Sequence, residues 1–260
     1  MVAHCSSRDC SQLENAAATI VPSATKLLAM NEPVDNPDAC ADPKSKACKK
    51  MCLPSTAAAK WLEFEKLSNA TNPRRLLGTP VPGGLWKGLG TKDRPVPWPQ
   101  EWGGNCTSMY GEPGCRFDFV ALHYYECWGN TTELAEQAAN EMMDFLQRVH
   151  VLFGKAIWLT EFNCGDGSGP TANQPPDNHL RFMKAALPKL EAAPFVHRYS
   201  WCLDEPDRPC SLTARAGAAN SAGDGDGDGD GDGGLVLTEL GKYYDTFALS
   251  APVPANASTT

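Results

Sequence analysis

Ala156-Ile157-Trp158-Leu159-Thr160-Glu161-Phe162 is an apolar run that stops on a carboxylate, and Leu27-Leu28-Ala29-Met30-Asn31-Glu32-Pro33 repeats the arrangement. Near-continuous apolar runs of this length suit strands of a parallel sheet, which are buried on both faces. In β/α barrels the carboxyl ends of such strands hold the chemistry. Two carboxylates facing one cleft are the standard equipment for cleaving a glycosidic bond. Either glutamate alone reads equally well as a solvated strand-end residue. Together they carry the argument.

Outward from these runs, strand and helix patterns alternate. A helix from about Thr56 to Leu67, with Ser55 as N-cap, follows a Cys- and Pro-rich loop. Leu76 to Val81 reads as a second strand, and a long loop carrying Trp86, Trp98 and Trp102 follows. Those tryptophans could line outer sugar subsites or pack under the loop. Phe117 to His123 is a third strand. The helix after it begins at Asn130 with Glu133 in a capping-box-like arrangement, and Leu134, Met142, Phe145, Leu146, Val149 and Phe153 form its apolar stripe. Gly154 ends that helix, and the Glu161 strand follows. A helix near Asn178 to Ala192 leads into a fifth strand, Phe195 to Trp201, and a last helix lies near Thr238 to Ala248. Repeated alternation predicts βαβ units on a mainly parallel sheet, five in all.

With 260 residues the chain is most simply one domain. The predicted layout is an irregular segment over 1–26, a catalytic domain over 27–249 and a disordered tail over 250–260. A formal charge of −8 argues against nucleic acid or an anionic membrane surface as partner. No apolar stretch is long enough to insert across a bilayer. Eleven cysteines, mostly in expected loops, suit an oxidising compartment. Sequons at Asn69, Asn105, Asn130 and Asn256 agree with an extracellular or cell-wall location, although the first residues lack the apolar core of a signal peptide.

Two metal readings are weaker. Cys40, Cys48 and Cys52 lack a second close pair for zinc. The Gly-Asp tract over 223–234 places Asp228, Asp230, Asp232 and Glu239 at the spacing of a calcium loop, but a Gly-Asp repeat meets half that pattern in almost any register. A flexible acidic insertion is the better reading. No metal and no cofactor is expected.

The motifs Asn31-Glu32-Pro33, Ala121-Leu122-His123-Tyr124-Tyr125, Phe153 to Phe162, Val196 to Trp201 and Leu237 to Tyr244 occur in order, each on the expected element. In these, the stretch from Leu27 to Phe247 resembles the catalytic domain of glycoside hydrolase family 128, also called the alkali-sensitive-linkage-like glycosyl hydrolase domain. The resemblance implies a (β/α)8 TIM barrel and a retaining endo-β-1,3-glucanase whose partner is a polysaccharide. Carried over residue by residue, Glu32 is the general acid/base and Glu161 the nucleophile. Asn31 would bind the sugar 2-hydroxyl, His123 and Tyr125 would orient Glu161 or a sugar hydroxyl, and Trp201 would face a pyranose ring. The lesser readings are His123 as a satisfied wall residue and Trp201 as ordinary core.

One departure stands out. The family's first three βα units have no counterpart in the 26 residues before Leu27, so a barrel of about five units and an N-terminally truncated sequence are expected. Such a fragment would expose two sheet edges. The alternatives in other functional classes are a non-catalytic polysaccharide-binding remnant and a structural calcium-binding module.

Overall fold

The computed structural model describes residues 20, 23–31, 54–81, 98–127, 130–165, 174–202, 206, 208–216 and 234–250. The contacts divide the chain into two compact units. One comprises Met1–Tyr124, Phe145–Thr160 and Phe195–Tyr199, the other Tyr125–Asp144, Glu161–Pro194 and Ser200–Thr260.

Five strands follow one another in chain order: β1 (Lys26–Leu27), β2 (Leu76–Leu77), β3 (Phe119–Tyr124), β4 (Ala156–Phe162) and β5 (Val196–Trp201). β1 and β2 pair in parallel, Lys26 with Leu76 and Leu27 with Leu77, and a parallel bridge from Asn31 to Val81 extends that pairing. Gly78 bridges in parallel to Phe119, and β3, β4 and β5 form a sheet in that order. Ile157 N donates to Phe195 O at 2.8 Å and Cys202 N to Phe162 O at 3.1 Å, numbers that rise together as parallel strands require.

The five expected strands are therefore present in an α/β fold with helices and parallel sheets. Among the described residues the strands do not close into a barrel. Closure needs every strand paired on both sides, whereas β5 ends the order of its sheet and leaves His197 and Arg198 exposed.

The first unit is built around β3, which is buried along its whole length. Phe119 and Ala121 pack with Val81, Leu28 and Trp158, and Phe119 stacks on Trp158 with ring centroids 4.2 Å apart. Gly78 is needed beside this stack, because a Cβ there would lie 2.4 Å from the Phe119 ring. Asp118 ties the strand's entrance to the neighbouring chain: it accepts from Arg74 Nη1 at 2.8 Å, Arg74 Nη2 at 2.7 Å and Leu77 N at 2.8 Å. Burial alone would raise the Asp118 pKa, but the Arg74 and Leu77 donors and the Arg116 charge outweigh it and hold the carboxyl below its usual range.

Helix α1 (Pro54–Asn69) and helix α2 (Trp98–Tyr110) pack on the other side of β1 and β2. Trp61 of α1 meets Trp102 of α2 edge to face at 4.9 Å, and both are fully buried. Helix α2 replaces part of the long loop expected there. Pro99 fits its first turn, where no N–H is required, and a disulfide from Cys106 to Cys115 closes its exit. Trp102 is thus a core residue, Trp98 is the first residue of the helix, and Trp86 lies outside the described residues.

Helix α3 (Thr132–Phe153) links β3 to β4. Its cap is Thr131 rather than Asn130, with Thr131 Oγ1 accepting from Leu134 N at 3.3 Å. Its buried stripe runs through Ala135, Ala138, Ala139, Met142, Phe145, Leu146 and Val149, while Leu134 is exposed.

The second unit contains helix α4 (Pro176–Ala192), whose buried face includes His179, Phe182, Met183, Ala186, Leu187 and Leu190. It also holds an antiparallel pair absent from the sequence reading, β6 (Thr213–Arg215) with β7 (Leu235–Leu237). Ala216 N donates to Gly234 O at 2.9 Å, so the Gly-Asp tract is inserted between two hydrogen-bonded ends. Residues 223–233 of it, Asp228, Asp230 and Asp232 included, lie outside the described residues. Helix α5 (Glu239–Ser250) begins with Thr238 Oγ1 accepting from Gly241 N at 3.0 Å. A Cβ on Gly241 would lie 2.0 Å from Leu212 O, which restricts that position to glycine. Among the described residues no helix is long and apolar enough to cross a membrane.

Candidate active site

β4 alternates between buried and partly exposed positions until its last turn of chain, where Glu161 is half-buried. The Thr160 side chain, one residue earlier, ties this end of β4 to β3, with Thr160 Oγ1 donating to Leu122 O at 3.2 Å. Glu161 is the next-to-last residue of β4.

Tyr125, just beyond β3, donates its hydroxyl to Glu161 Oε2, and the Tyr125 hydroxyl oxygen lies 3.3 Å from Cys202 Sγ, just beyond β5. Three residues at three consecutive strand ends thus converge. Burial, followed by the Glu161 charge and the Cys202 contact, pushes the Tyr125 phenol far above its usual range, so it stays a donor at all working pH values. The Cys202 thiol is pushed up to about 12, first by burial; Tyr125 pulls it down, and Glu161 and Cys210 push it up. It too keeps its proton.

Trp201 precedes Cys202 and is nearly buried. Phe162 meets it edge-on at 5.1 Å, His179 at 6.1 Å, and Phe182 lies at 6.5 Å. Its indole Nε1 donates to Cys210 O at 2.8 Å, which fixes the plane of the ring. The turn after Glu161 is fixed from several sides. Asn163 Nδ2 donates to Cys202 O, Gly165 N donates to Asn163 Oδ1 at 2.6 Å, and Cys164 is in a disulfide with Cys127. His179 Nδ1 accepts from Cys164 N at 3.3 Å, and burial lowers the His179 pKa to about 4 despite its bond to the Gln174 backbone. A neutral imidazole is what an acceptor at Nδ1 requires.

Of the residues singled out in the sequence, Tyr125, Glu161 and Trp201 belong to this second unit, and the first two touch. Asn31 and His123 belong to the first unit. Asn31 is half-buried on its bridge to Val81, and His123 is buried near the end of β3, on the Phe119 and Ala121 side of the strand. Glu32 lies outside the described residues. Cys202, Asn163 and His179 escaped the sequence reading. Cys202 carried one signal, its place directly after the strand-end Trp201, just as Tyr125 directly follows β3. Among the described residues no three His, Cys, Asp or Glu side chains are grouped to hold a metal ion.

The family model for the glycosyl hydrolase catalytic core matches residues 1–244. The chain belongs to the glycosyl hydrolase catalytic core family. This glycoside hydrolase is similar in structure to a subgroup II family 128 endo-β-1,3-glucanase from Sorangium cellulosum, at 26% identity and a TM-score of 0.59, covering 95% of this chain and 77% of that one. A subgroup II endo-β-1,3-glucanase from Pseudomonas viridiflava shares the fold at 23% identity and a TM-score of 0.60, with the same coverage, 95% and 77%. A subgroup I endo-β-1,3-glucanase from Amycolatopsis mediterranei, crystallised with laminaritriose, shares it at 23% identity and a TM-score of 0.55, covering 80% and 75%. No curated protein matches the chain.

Proposed function

We propose that this glycoside hydrolase is a retaining endo-β-1,3-glucanase acting by double displacement. The observation that carries the reading is the Tyr125 hydroxyl on Glu161 Oε2 at the carboxyl end of a parallel strand. A nucleophilic carboxylate must present one oxygen to the anomeric carbon while the other is held, and a donor on Oε2 does that.

In this mechanism Glu161 attacks the anomeric carbon as Glu32, protonated, gives its proton to the leaving oxygen. A glycosyl ester on Glu161 forms and the reducing-end portion departs. Glu32, now a carboxylate, takes a proton from water, which opens the ester and restores both residues. Retention needs the carboxyl groups about 5–5.5 Å apart. Asn31 would bind the 2-hydroxyl, where hydrogen bonding strengthens as the oxocarbenium ion develops. His123 would support the sugar from the end of β3, and Trp201 would form an apolar floor. The β-1,3-glucan assignment is supported by the activity of the similar enzymes named above. Extracellular or cell-wall placement is supported by the disulfides and by the exposed sequon residue Asn130.

The test is release of reducing ends from laminarin by the wild-type chain and by Glu161→Gln. The wild type is expected to hydrolyse the glucan, and the variant to lose at least about 10³-fold in turnover while keeping its retardation in a laminarin-containing native gel. Retardation of both without hydrolysis by either would favour the non-catalytic polysaccharide-binding remnant.

A further inference from the structure

We propose that Cys202 is a positioning residue, its thiol directing the Tyr125 hydroxyl onto Glu161. This rests on the reading of Glu161 as nucleophile. The Tyr125 hydroxyl meets Glu161 Oε2 and Cys202 Sγ, the latter 3.3 Å away, and both can accept its one proton. A carboxylate is a much stronger acceptor than sulfur, so the proton goes to Glu161. The thiol keeps its own proton, and it is hydrogen-bonded to Glu161 directly as well as to Tyr125. Thiol, phenol and carboxylate thus form one cluster, and with the sulfur's hydrogen bond donated to Glu161 the phenol is held against both groups, which removes the alternative in which Tyr125 turns away from Glu161.

The backbone makes the arrangement stiff. Cys202 N is bonded to Phe162 O, and Cys202 O receives Asn163 Nδ2, so the two residues that follow Glu161 hold the main chain of Cys202. The preceding ring, Trp201, is fixed through Cys210 O. Among the described residues, the charged or titratable groups acting on the thiol are Tyr125, Glu161 and Cys210. None of them requires Cys202 to touch substrate.

Two measurements on the full chain test this. In the first, Cys202→Ala and Cys202→Ser are compared with wild type on laminarin. Removal of the donor is expected to lower kcat about 5- to 10-fold with KM within about twofold, and serine, which restores an O–H, to recover most of the loss. Equal kcat in Cys202→Ala and wild type, or equal losses in alanine and serine, would overturn the proposal. In the second, the rate of iodoacetamide alkylation at Cys202 at pH 8 is followed by mass spectrometry. Glu161→Gln removes a charge that holds the thiol protonated, so the rate should rise roughly 3- to 10-fold. An unchanged rate would refute the coupling whether or not the enzyme is active. A raised rate in a chain that hydrolyses no glucan would support the coupling and refute the glucanase reading.

Discussion

β3 and β5 lie in the same sheet, yet all six residues of β3 are buried and, of the six in β5, only Trp201 is. β3 has β4 on one side, the Gly78 bridge on the other and apolar packing around Phe119 and Ala121. β5 ends the order and lays Arg198 across the Trp158 ring at 5.1 Å, a contact that keeps the guanidinium wet. Stability is therefore concentrated in β3, whereas β5 serves mainly to deliver Trp201 and Cys202 beside Glu161. A strand can be thermodynamically minor and still set the geometry of a site.

The largest expected effect tests the β3 side. Leu122, fully buried, should cost about 2–5 kcal/mol on replacement by alanine, read as a lower urea midpoint at unchanged slope. A loss below about 1 kcal/mol would mean that β3 is not the stability centre.

The second concerns the one buried end of β5. His179 backs Trp201 and titrates near 4 in the fold against 6.5 when free. Unfolding therefore takes up a proton between those values, and the stability present above pH 6.5 is lost as pH falls towards 4. The loss should reach about 3 kcal/mol, and His179→Gln should flatten that part of the stability profile.

Next, Gly78→Ala drives a methyl into the Phe119 ring and should destabilise by about 1–3 kcal/mol. A double change with Phe119→Leu should recover part of that loss. Smallest is His197→Ala on exposed β5, expected within about 0.5 kcal/mol of wild type. If His197→Ala cost as much as Leu122→Ala, the contrast between the strands would fail.

What could be read from sequence follows this same contrast. β3, β4 and helix α3 announced themselves because continuous apolar runs and a 3.6-residue stripe are local signals. Glu161 was legible for the same reason, since a carboxylate ending an apolar run is visible in one dimension. Helix α2 was not, because Pro99, Gly103 and Gly104 read as loop. Its stability comes from the burial of Trp102 and the Cys106–Cys115 bridge, which are tertiary. β6 and β7 are three residues each and separated by the Gly-Asp tract, so no periodicity could develop. The Thr131 cap was missed by one residue because Asn130 is an equally good capping type. The convergence of Cys202 on Tyr125 depends on strand register, which the local pattern does not encode.

The most direct test of Glu161 as nucleophile is azide rescue of Glu161→Ala with an aryl β-laminaribioside as substrate. With the nucleophile gone, azide enters the vacated space and attacks the anomeric carbon with a single inversion. The expected result is an azide-dependent rise in rate with an α-glycosyl azide as product. A β-glycosyl azide would instead make Glu161 the acid/base, and no azide adduct with undiminished turnover would remove it from the chemistry altogether.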